Sequence, residues 1–203
     1  MLDFYIENLD RNRMYLLVSD IEYFERYRYE LDDIVKSKPL DPVYEMFEVY
    51  QTRVRERLDF ALVQLETEAD YSTDLEFQFD RTDDPWAADS QVLDKIWRKR
   101  VVNDALSLAL EDEPWDKIHD VLTKRYKGFI KRLDQVNNDD VFERFMNTFA
   151  HAVDPHSSYL SPRNADEYRI AMSLSYVGIG ATLQTEDDFV RIVNIIRGGP
   201  ADF

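Results

Sequence analysis

Apolar and polar residues alternate with the period of an α-helix along most of the chain up to residue 173. Apolar side chains recur three and four positions apart, which places them on one face of a helix. One helix is predicted to open with the capping-box pattern Ser19-Asp-Ile-Glu22 and to end at Lys38-Pro39. A longer helix is predicted to follow, with Asp41 as its N-cap, Pro42 in its first turn and an apolar stripe that reaches Leu65.

The helical pattern stops between residues 71 and 86 and then returns. Alternating residues in Leu75–Phe79 and the turn signal Asp83-Asp-Pro85 predict an extended connection, with or without one short strand. Further on, a second capping-box pattern, Asn164-Ala-Asp-Glu167, is predicted to open a short helix that runs through Met172. Three helices are predicted between these two regions, at residues 89–111, 114–136 and 139–152.

The spacing of apolar residues changes from helical to strand-like after residue 173. Gly178-Ile-Gly180 leads into the β-rich run Ala181–Gln184, an acidic turn follows at Glu186–Asp188, and a second β-rich run covers Phe189–Ile196. This order predicts a β-hairpin. The predicted fold is therefore mainly α and α+β overall, with an N-terminal multi-helix domain in residues 1–173 and the hairpin in residues 174–203.

Composition and charge narrow the classes of partner. The 203 residues are 44% hydrophobic and 13% aromatic, which is enough for a packed core. The net charge of -16 argues against nucleic acid or an anionic lipid surface as partner, because both require clustered basic residues. The small basic patch formed by Lys124–Lys127 and Lys131-Arg132 is interpreted as a set of intramolecular salt-bridge partners.

Membrane insertion and thiol chemistry are not expected. No apolar run approaches the roughly 18 residues of a membrane span, and the opening Met1-Leu-Asp-Phe-Tyr5 is not a signal peptide. If the protein is exported, its leader is expected to be missing from this chain. The absence of cysteine excludes disulfides, cysteine nucleophiles and thiolate metal sites.

The densest polar cluster of the chain is His151–Pro162, with two histidines, an aspartate and three serines. A metal site would use its His-x-x-Asp-x-His spacing, but Pro155 rigidifies the middle and no second ligand-bearing segment is recognisable. A nucleophilic serine would need a base and an oxyanion hole, which adjacency in sequence does not supply. We interpret the cluster as a junction, in which Asp154-Pro155 ends a helix and Tyr159 and Leu160 anchor the chain.

Gly178-Ile-Gly180 has two interpretations. It is not a dinucleotide fingerprint, because Leu183 replaces the third glycine and a strand follows where a helix would begin. In one interpretation, successive N–H groups of the loop converge on a carboxylate and the next strand pairs with an extended peptide. In the other, the loop is a tight turn in an ordinary hairpin.

Several segments in this order resemble one family. The carboxyl-terminal processing proteases, also called tail-specific proteases, have a similar entry to their PDZ domain, and the likeness extends upstream to the large periplasmic member of Gram-negative bacteria. It covers essentially the whole chain. The segments that carry it are Asp154–Leu160, Gly178-Ile-Gly180 and Gly199-Pro-Ala201 at the PDZ entry, with Leu122–Lys127, Ser161–Asn164 and Met172–Ser175 upstream.

The resemblance implies a serine endopeptidase that recognises apolar C-termini and uses a Ser–Lys dyad. Both members of the dyad follow the PDZ domain in the family, whereas Phe203 lies inside it, so residues 174–203 would be an incomplete PDZ domain. No catalytic residue, metal ligand or cofactor is expected in this chain, which should be inactive alone. The implied peptide-binding site consists of a carboxylate loop and the first residues of a strand: Val177, Gly178, Ile179, Gly180, Ala181, Thr182 and Leu183.

The resemblance also implies partners and a compartment. The expected partners are protein substrates, bound through their C-terminal residues, and an adaptor protein; the expected compartment is the periplasm. Unfinished strand edges predict that this stretch of chain self-associates. The alternative function is a non-catalytic helical interaction module with a PDZ-like tail that binds C-terminal peptides. The two functions differ in whether a serine and a lysine follow downstream.

Overall fold

The computed structural model describes residues 1–37, 39–173, 178–186 and 189–202. The chain divides into two compact units, Met1–Tyr159 and Leu160–Phe203. The first unit is entirely helical in its regular structure, and the second joins one helix to a small antiparallel hairpin. The predicted fold class, mainly α and α+β overall, is confirmed. The predicted domain boundary after residue 173 stays a prediction.

The helices of the first unit follow one another through short connections, apart from one long connection after the fourth helix. Their bounds are α1 Leu2–Asp10, α2 Val18–Phe24, a 3₁₀ turn Glu25–Tyr27, α3 Leu31–Ser37, α4 Asp41–Gln64, α5 Ser90–Ala109, α6 Trp115–Asp134 and α7 Asn138–Val153. The second unit contains α8 Pro162–Ser173, β1 Ala181–Glu186, β2 Phe189–Ile195 and a 3₁₀ turn Pro200–Asp202.

Helix α4 is the central element of the first unit, because its two halves contribute to two separate hydrophobic cores. Tyr50, near its middle, packs against both. Its N-terminal half joins α1, α2, α3 and α7 around Tyr5, Phe24, Val43, Met46 and Phe145. Its C-terminal half joins α5 and α6 around Val54, Leu58, Trp97, Leu122 and Tyr126.

The start of α2 differs from the prediction. The helix begins one residue before Ser19, and its N-cap position is Leu17, whose N–H donates to the Asp20 carboxylate at 2.9 Å. The predicted capping box at Ser19 is therefore wrong by two residues. The helix also ends at Phe24, because a bend through the 3₁₀ turn lets both Phe24 and Leu31 reach the same core, where each is fully buried.

Other helix starts also differ from the prediction. Asp41 is the first residue of α4 and not its N-cap, although Pro42 does lie in the first turn. Helix α8 begins at Pro162, before Asn164, and the hydroxyl of Ser161 accepts the Asn164 N–H at 3.4 Å. Helix α1 was not predicted at all. Sequence pattern located the helices but missed these caps, because Ser, Asp and Asn also occur within helices when tertiary contacts hold them there.

The three long predicted helices are present as α5, α6 and α7. Asp89 caps α5 by accepting the Val92 N–H at 3.0 Å. Asn137 and Asp140 form a reciprocal capping box at the start of α7, with bonds of 3.1 Å and 3.0 Å. In the described part of the chain, the long connection from α4 to α5 contains no strand, only an isolated bridge between Leu17 and Ala87.

The basic patch on α6 differs from its interpretation. Within the described ranges, Lys124, Arg125 and Lys127 form no ion pair, so for these three residues the salt-bridge interpretation is wrong. Arg132 instead lies over the ring of Phe129, 4.6 Å from its centroid. Of the helices described, none combines the length and the apolar character needed to cross a membrane.

Candidate peptide-binding site

Strands β1 and β2 form the predicted antiparallel hairpin. Ala181 is paired with Ile195 at one end and Glu186 with Phe189 at the other. A β-bulge lies between Thr182 and Leu183, where the register shifts. Bulges bend a strand and re-aim the side chains next to them, and this one falls within the strand segment that is predicted to pair with a peptide.

The Gly178–Gly180 loop packs against the segment that follows β2. Gly180 has a φ of +73°, and a Cβ built there would lie 2.9 Å from Pro200 Cδ and 3.1 Å from Gly199 Cα. Its carbonyl oxygen accepts the Ile196 N–H at 2.8 Å. A side chain at Gly180 would therefore meet both an unfavourable backbone conformation and a steric clash. The glycine is required by the close approach of two backbone segments.

The segment on the other side of this contact is itself fixed. Gly198 has a φ of +77°, and its N–H donates to the carboxylate of Asp202 at 2.8 Å. The Asp202 N–H in turn donates to the Gly199 carbonyl at 3.0 Å. Gly199 and Pro200 were not among the predicted site residues, yet they form the wall of the loop. The Gly199-Pro-Ala201 motif was the signal that would have added them.

The structure places six of the seven predicted site residues next to one another. Gly178, Ile179 and Gly180 precede β1, and Ala181, Thr182 and Leu183 are its first residues. Val177 lies outside the described residues. Ile179 is 57% exposed and Leu183 is 50% exposed, so both are accessible to a ligand. Their role in binding a carboxylate or a peptide stays a prediction.

The hairpin leaves a free strand edge. In residues 178–186 and 189–202 the sheet has two strands, so β1 pairs with β2 on one side and has no partner on the other. An edge of this kind presents unpaired N–H and C=O groups to which an extended peptide can add as a third strand. One of the two outer edges of the hairpin thus belongs to the strand that carries Ala181–Leu183.

Apolar side chains of β2 are exposed on both faces. No described residue of the second unit is buried. A strand that is apolar on both faces is typical of a sheet covered on two sides. The exposed residues are Phe189, Val190, Ile192, Val193, Ile195 and, just after the strand, Ile196.

The polar cluster His151–Pro162 has the contacts of a junction. Helix α7 ends at Val153, and the Asp154 carboxylate accepts the His156 N–H at 3.1 Å and the Ser157 hydroxyl at 2.9 Å. Both hydrogen bonds lower the pKa of Asp154 below its ordinary value, and the bond from the His156 N–H has the larger effect. In the described residues no group of three or more His, Asp or Glu side chains is arranged to hold a metal ion.

Tyr159 anchors the end of this junction. Its ring packs edge to face on Phe142 of α7, with 5.6 Å between the ring centroids, and its N–H donates to the Asn147 side chain at 3.0 Å. The predicted anchoring role of Tyr159 agrees with these contacts, whereas Leu160 is exposed. The cluster holds the chain in place after α7, and its polar groups are used for that purpose.

Comparison with known proteins relates the chain to one family. Residues 1–163 match the tail specific protease N-terminal domain. The whole chain is 38% identical, over 203 residues, to the tail-specific protease of Haemophilus influenzae. The chain covers 29% of that relative, so it spans less than a third of the relative's length.

Proposed function

We propose a function for this chain, which belongs to the tail-specific protease family. The chain is the substrate-recognition and scaffold region of a periplasmic serine endopeptidase. In this proposal the protein recognises apolar C-terminal tails of its substrates and trims or degrades them with a Ser–Lys dyad that lies downstream of Phe203. The 203 residues alone would then have no peptidase activity. The observation that carries the proposal is the packing of Gly180 against Gly199 and Pro200 beside a free strand edge.

The loop and the strand would divide the recognition of a tail between them. The N–H groups of Gly178, Ile179 and Gly180 would donate hydrogen bonds to the terminal carboxylate, because glycine lets backbone donors approach a ligand closely. The tail would extend along β1 by backbone hydrogen bonds, which are independent of its sequence. Preference for an apolar tail would come from apolar side chains next to that edge, among them Leu183.

The first unit would act as a scaffold. Its two cores, joined through α4, fix seven helices into one unit, which offers a rigid surface to a substrate or to an adaptor protein. Fractionation of cells that express the gene under its own signals tests the compartment: recovery of the protein with periplasmic markers is expected, and recovery in the cytosol alone would overturn that part of the proposal.

The proposal is tested with the full-length protein and a peptide that ends in apolar residues. Cleavage is expected to fall about tenfold, equivalent to roughly 1.4 kcal/mol, when the peptide's C-terminus is amidated. Gly180→Val should remove this discrimination, whereas Gly128→Ala, in α6, should retain it. Equal cleavage of the free and amidated peptides would overturn the carboxylate role. Binding without cleavage would favour the non-catalytic interaction module.

A further inference from the structure

A surface groove of about 750 Å³ lies in the first unit, between the α4–α5 connection and the outer face of α5. Phe77 and Arg81 of the connection form one side, and Ile96, Lys95 and Lys99 of α5 form the other. None of the residues that line the groove belongs to the proposed tail-binding site, because all of them precede α6. Its volume is within the range of about 300–1,000 Å³ that is common for binding sites.

The connection that forms one wall is long, yet side-chain hydrogen bonds hold it in place. Asn12 donates to the Phe79 carbonyl at 3.0 Å, which ties the connection to the segment after α1. Asp80 accepts the N–H and the hydroxyl of Thr82 at 3.0 Å and 2.8 Å, and Gln78 donates to Asp84 at 3.0 Å. Long connections without helix or strand are usually either disordered or functional. These hydrogen bonds indicate that this connection is ordered, which favours a functional role for it.

The groove is positively charged although the chain is strongly acidic. Lys95 and Lys99 are exposed and one turn apart on α5, and in the part of the chain that the structure describes neither forms an ion pair. Arg81 supplies a third cation; it pairs with Asp84 at 2.8 Å, while its buried Nε has no hydrogen-bond partner among the described residues. Among the described residues, Glu76 is the one acidic side chain that lines the groove. A ligand that carries carboxylates would complement this arrangement.

Apolar surface lies between the charges. Phe77 packs edge to face on Phe79 with 5.0 Å between the ring centroids, so its ring is held in position. Ile96 and Val92, which is 38% exposed, continue the apolar surface along α5. The site therefore combines spread-out cations with an apolar centre, which suits an extended segment with several carboxylates and an apolar side chain better than it suits one small anion.

We propose that this groove binds an acidic, extended segment of another polypeptide. Aspartate or glutamate side chains of the segment contact Lys95 and Lys99, and an apolar side chain of the same segment packs on Phe77 and Ile96. A nucleic acid or an anionic lipid surface is a poorer occupant, since its charges continue beyond the groove and are repelled by a chain of net charge -16, whereas a short peptide can place its carboxylates at the two lysines. The peptide is recognised through its side chains and needs no free C-terminus.

The test is fluorescence anisotropy with the full-length protein and a labelled, C-terminally amidated peptide in which Glu alternates with Leu. The double variant Lys95→Gln/Lys99→Gln is compared with Lys124→Gln/Lys127→Gln, which removes the same charge from exposed positions on α6. The first variant is expected to raise Kd about tenfold, equivalent to about 1.4 kcal/mol, and the second to change it less than twofold. Replacing Glu by Gln in the peptide should weaken binding by a similar factor.

Three outcomes would overturn the proposal. One is no measurable binding of the Glu/Leu peptide to the unmodified protein. Another is an equal loss of affinity for the peptide in the two double variants, which would show that the attraction is electrostatic and not specific to the groove. The third is binding that requires a free C-terminus, measured with the non-amidated peptide, which would assign the peptide to the hairpin. Because Gly180→Val alters the hairpin and leaves the groove intact, failure of this proposal is separable from failure of the proposed function.

Discussion

The indole nitrogen of Trp97 donates a 2.7 Å hydrogen bond to the carbonyl oxygen of Met14, and both residues are buried. The two lie 83 positions apart in sequence. The bond fixes the segment before α2 against α5, and it satisfies a carbonyl that would otherwise be buried without a partner.

Trp97→Phe is expected to lower the free energy of unfolding by about 1–3 kcal/mol, because a buried carbonyl left without a donor bears the cost of its desolvation. Urea denaturation measures the change. Trp115→Phe is the matched control: Trp115 is half-buried at the start of α6, and its substitution should cost less than about 1 kcal/mol. Equal losses would mean that ring size, and not the hydrogen bond, sets the stability at Trp97.

The pair Asp20 and Arg53 joins α2 to α4 through two hydrogen bonds of 2.9 Å and 3.0 Å, with side chains that are 8% and 25% exposed. A double-mutant cycle of Asp20→Asn and Arg53→Gln should give a coupling energy of about 1.5–3 kcal/mol. The exposed pair Glu113 and Lys117 should give less than about 1 kcal/mol in the same cycle. A coupling at Asp20 as small as that of the exposed pair would contradict the prediction.

Three glycines should respond to alanine in three ways. Gly180→Ala meets both a positive φ and a clash with Pro200, so it should destabilise the hairpin most. Gly198→Ala has open space around the Cβ and should cost about 1–2 kcal/mol through its φ alone. Gly128→Ala lies within α6 and should stabilise that helix by roughly 0.5–1 kcal/mol. Hydrogen exchange of amides in β2 and α6 separates these effects. Equal protection of the β2 amides in Gly180→Ala and Gly198→Ala would contradict the expectation that Gly180→Ala destabilises the hairpin most.

The lowered pKa of Asp154 gives a pH dependence with a definite sign. A carboxyl group whose pKa is lower in the folded chain stabilises it above the ordinary pKa, and this contribution is lost as pH falls through the lowered value. Carbon-detected NMR should therefore show Asp154 titrating below the ordinary 3.8. Ser157→Ala removes one of its two donors and should move the pKa upward, while Ser107→Ala, in α5, should leave it unchanged.

The exposed apolar residues of β2 should make the 203-residue chain self-associate, because a free edge beside exposed apolar side chains invites pairing with another copy. Val190→Lys/Ile192→Lys should shift sedimentation toward the monomer. Val63→Lys, at an exposed position of α4, should not. A monomeric parent chain at high concentration would show that the edge is protected.

Much of the fold was available from local pattern. The helices α4 to α7 and the β1–β2 hairpin were predicted, since their apolar spacing is long and regular. The missed features depend on distant partners. Helix α1 is only nine residues long, and Asp20 caps α2 while it also binds Arg53, which no short window of sequence displays.

The candidate site was predictable to a similar extent. The order of Gly178-Ile-Gly180 and Ala181–Leu183 indicated a loop followed by a strand, and these six residues lie together in the described part of the chain, whereas Val177, the seventh predicted residue, lies outside it. The Gly199-Pro-Ala201 motif marked these residues as part of the family resemblance, but only the structure shows that Gly199 and Pro200 pack against Gly180. No sequence pattern indicated the groove, because its two sides come from segments that become neighbours only when the connection folds back along α5.

Sequence alone determined the helix-rich class, the change to a hairpin after α8 and the family, because these depend on residue type and spacing along the chain. Tertiary structure alone decided the division of α4 between two cores, the bond from Trp97 to Met14 and the placement of Phe77, Lys95 and Lys99 around one groove. These arrangements join residues of different segments. Their geometry is set by how the helices pack, and the packing depends on side chains throughout the unit.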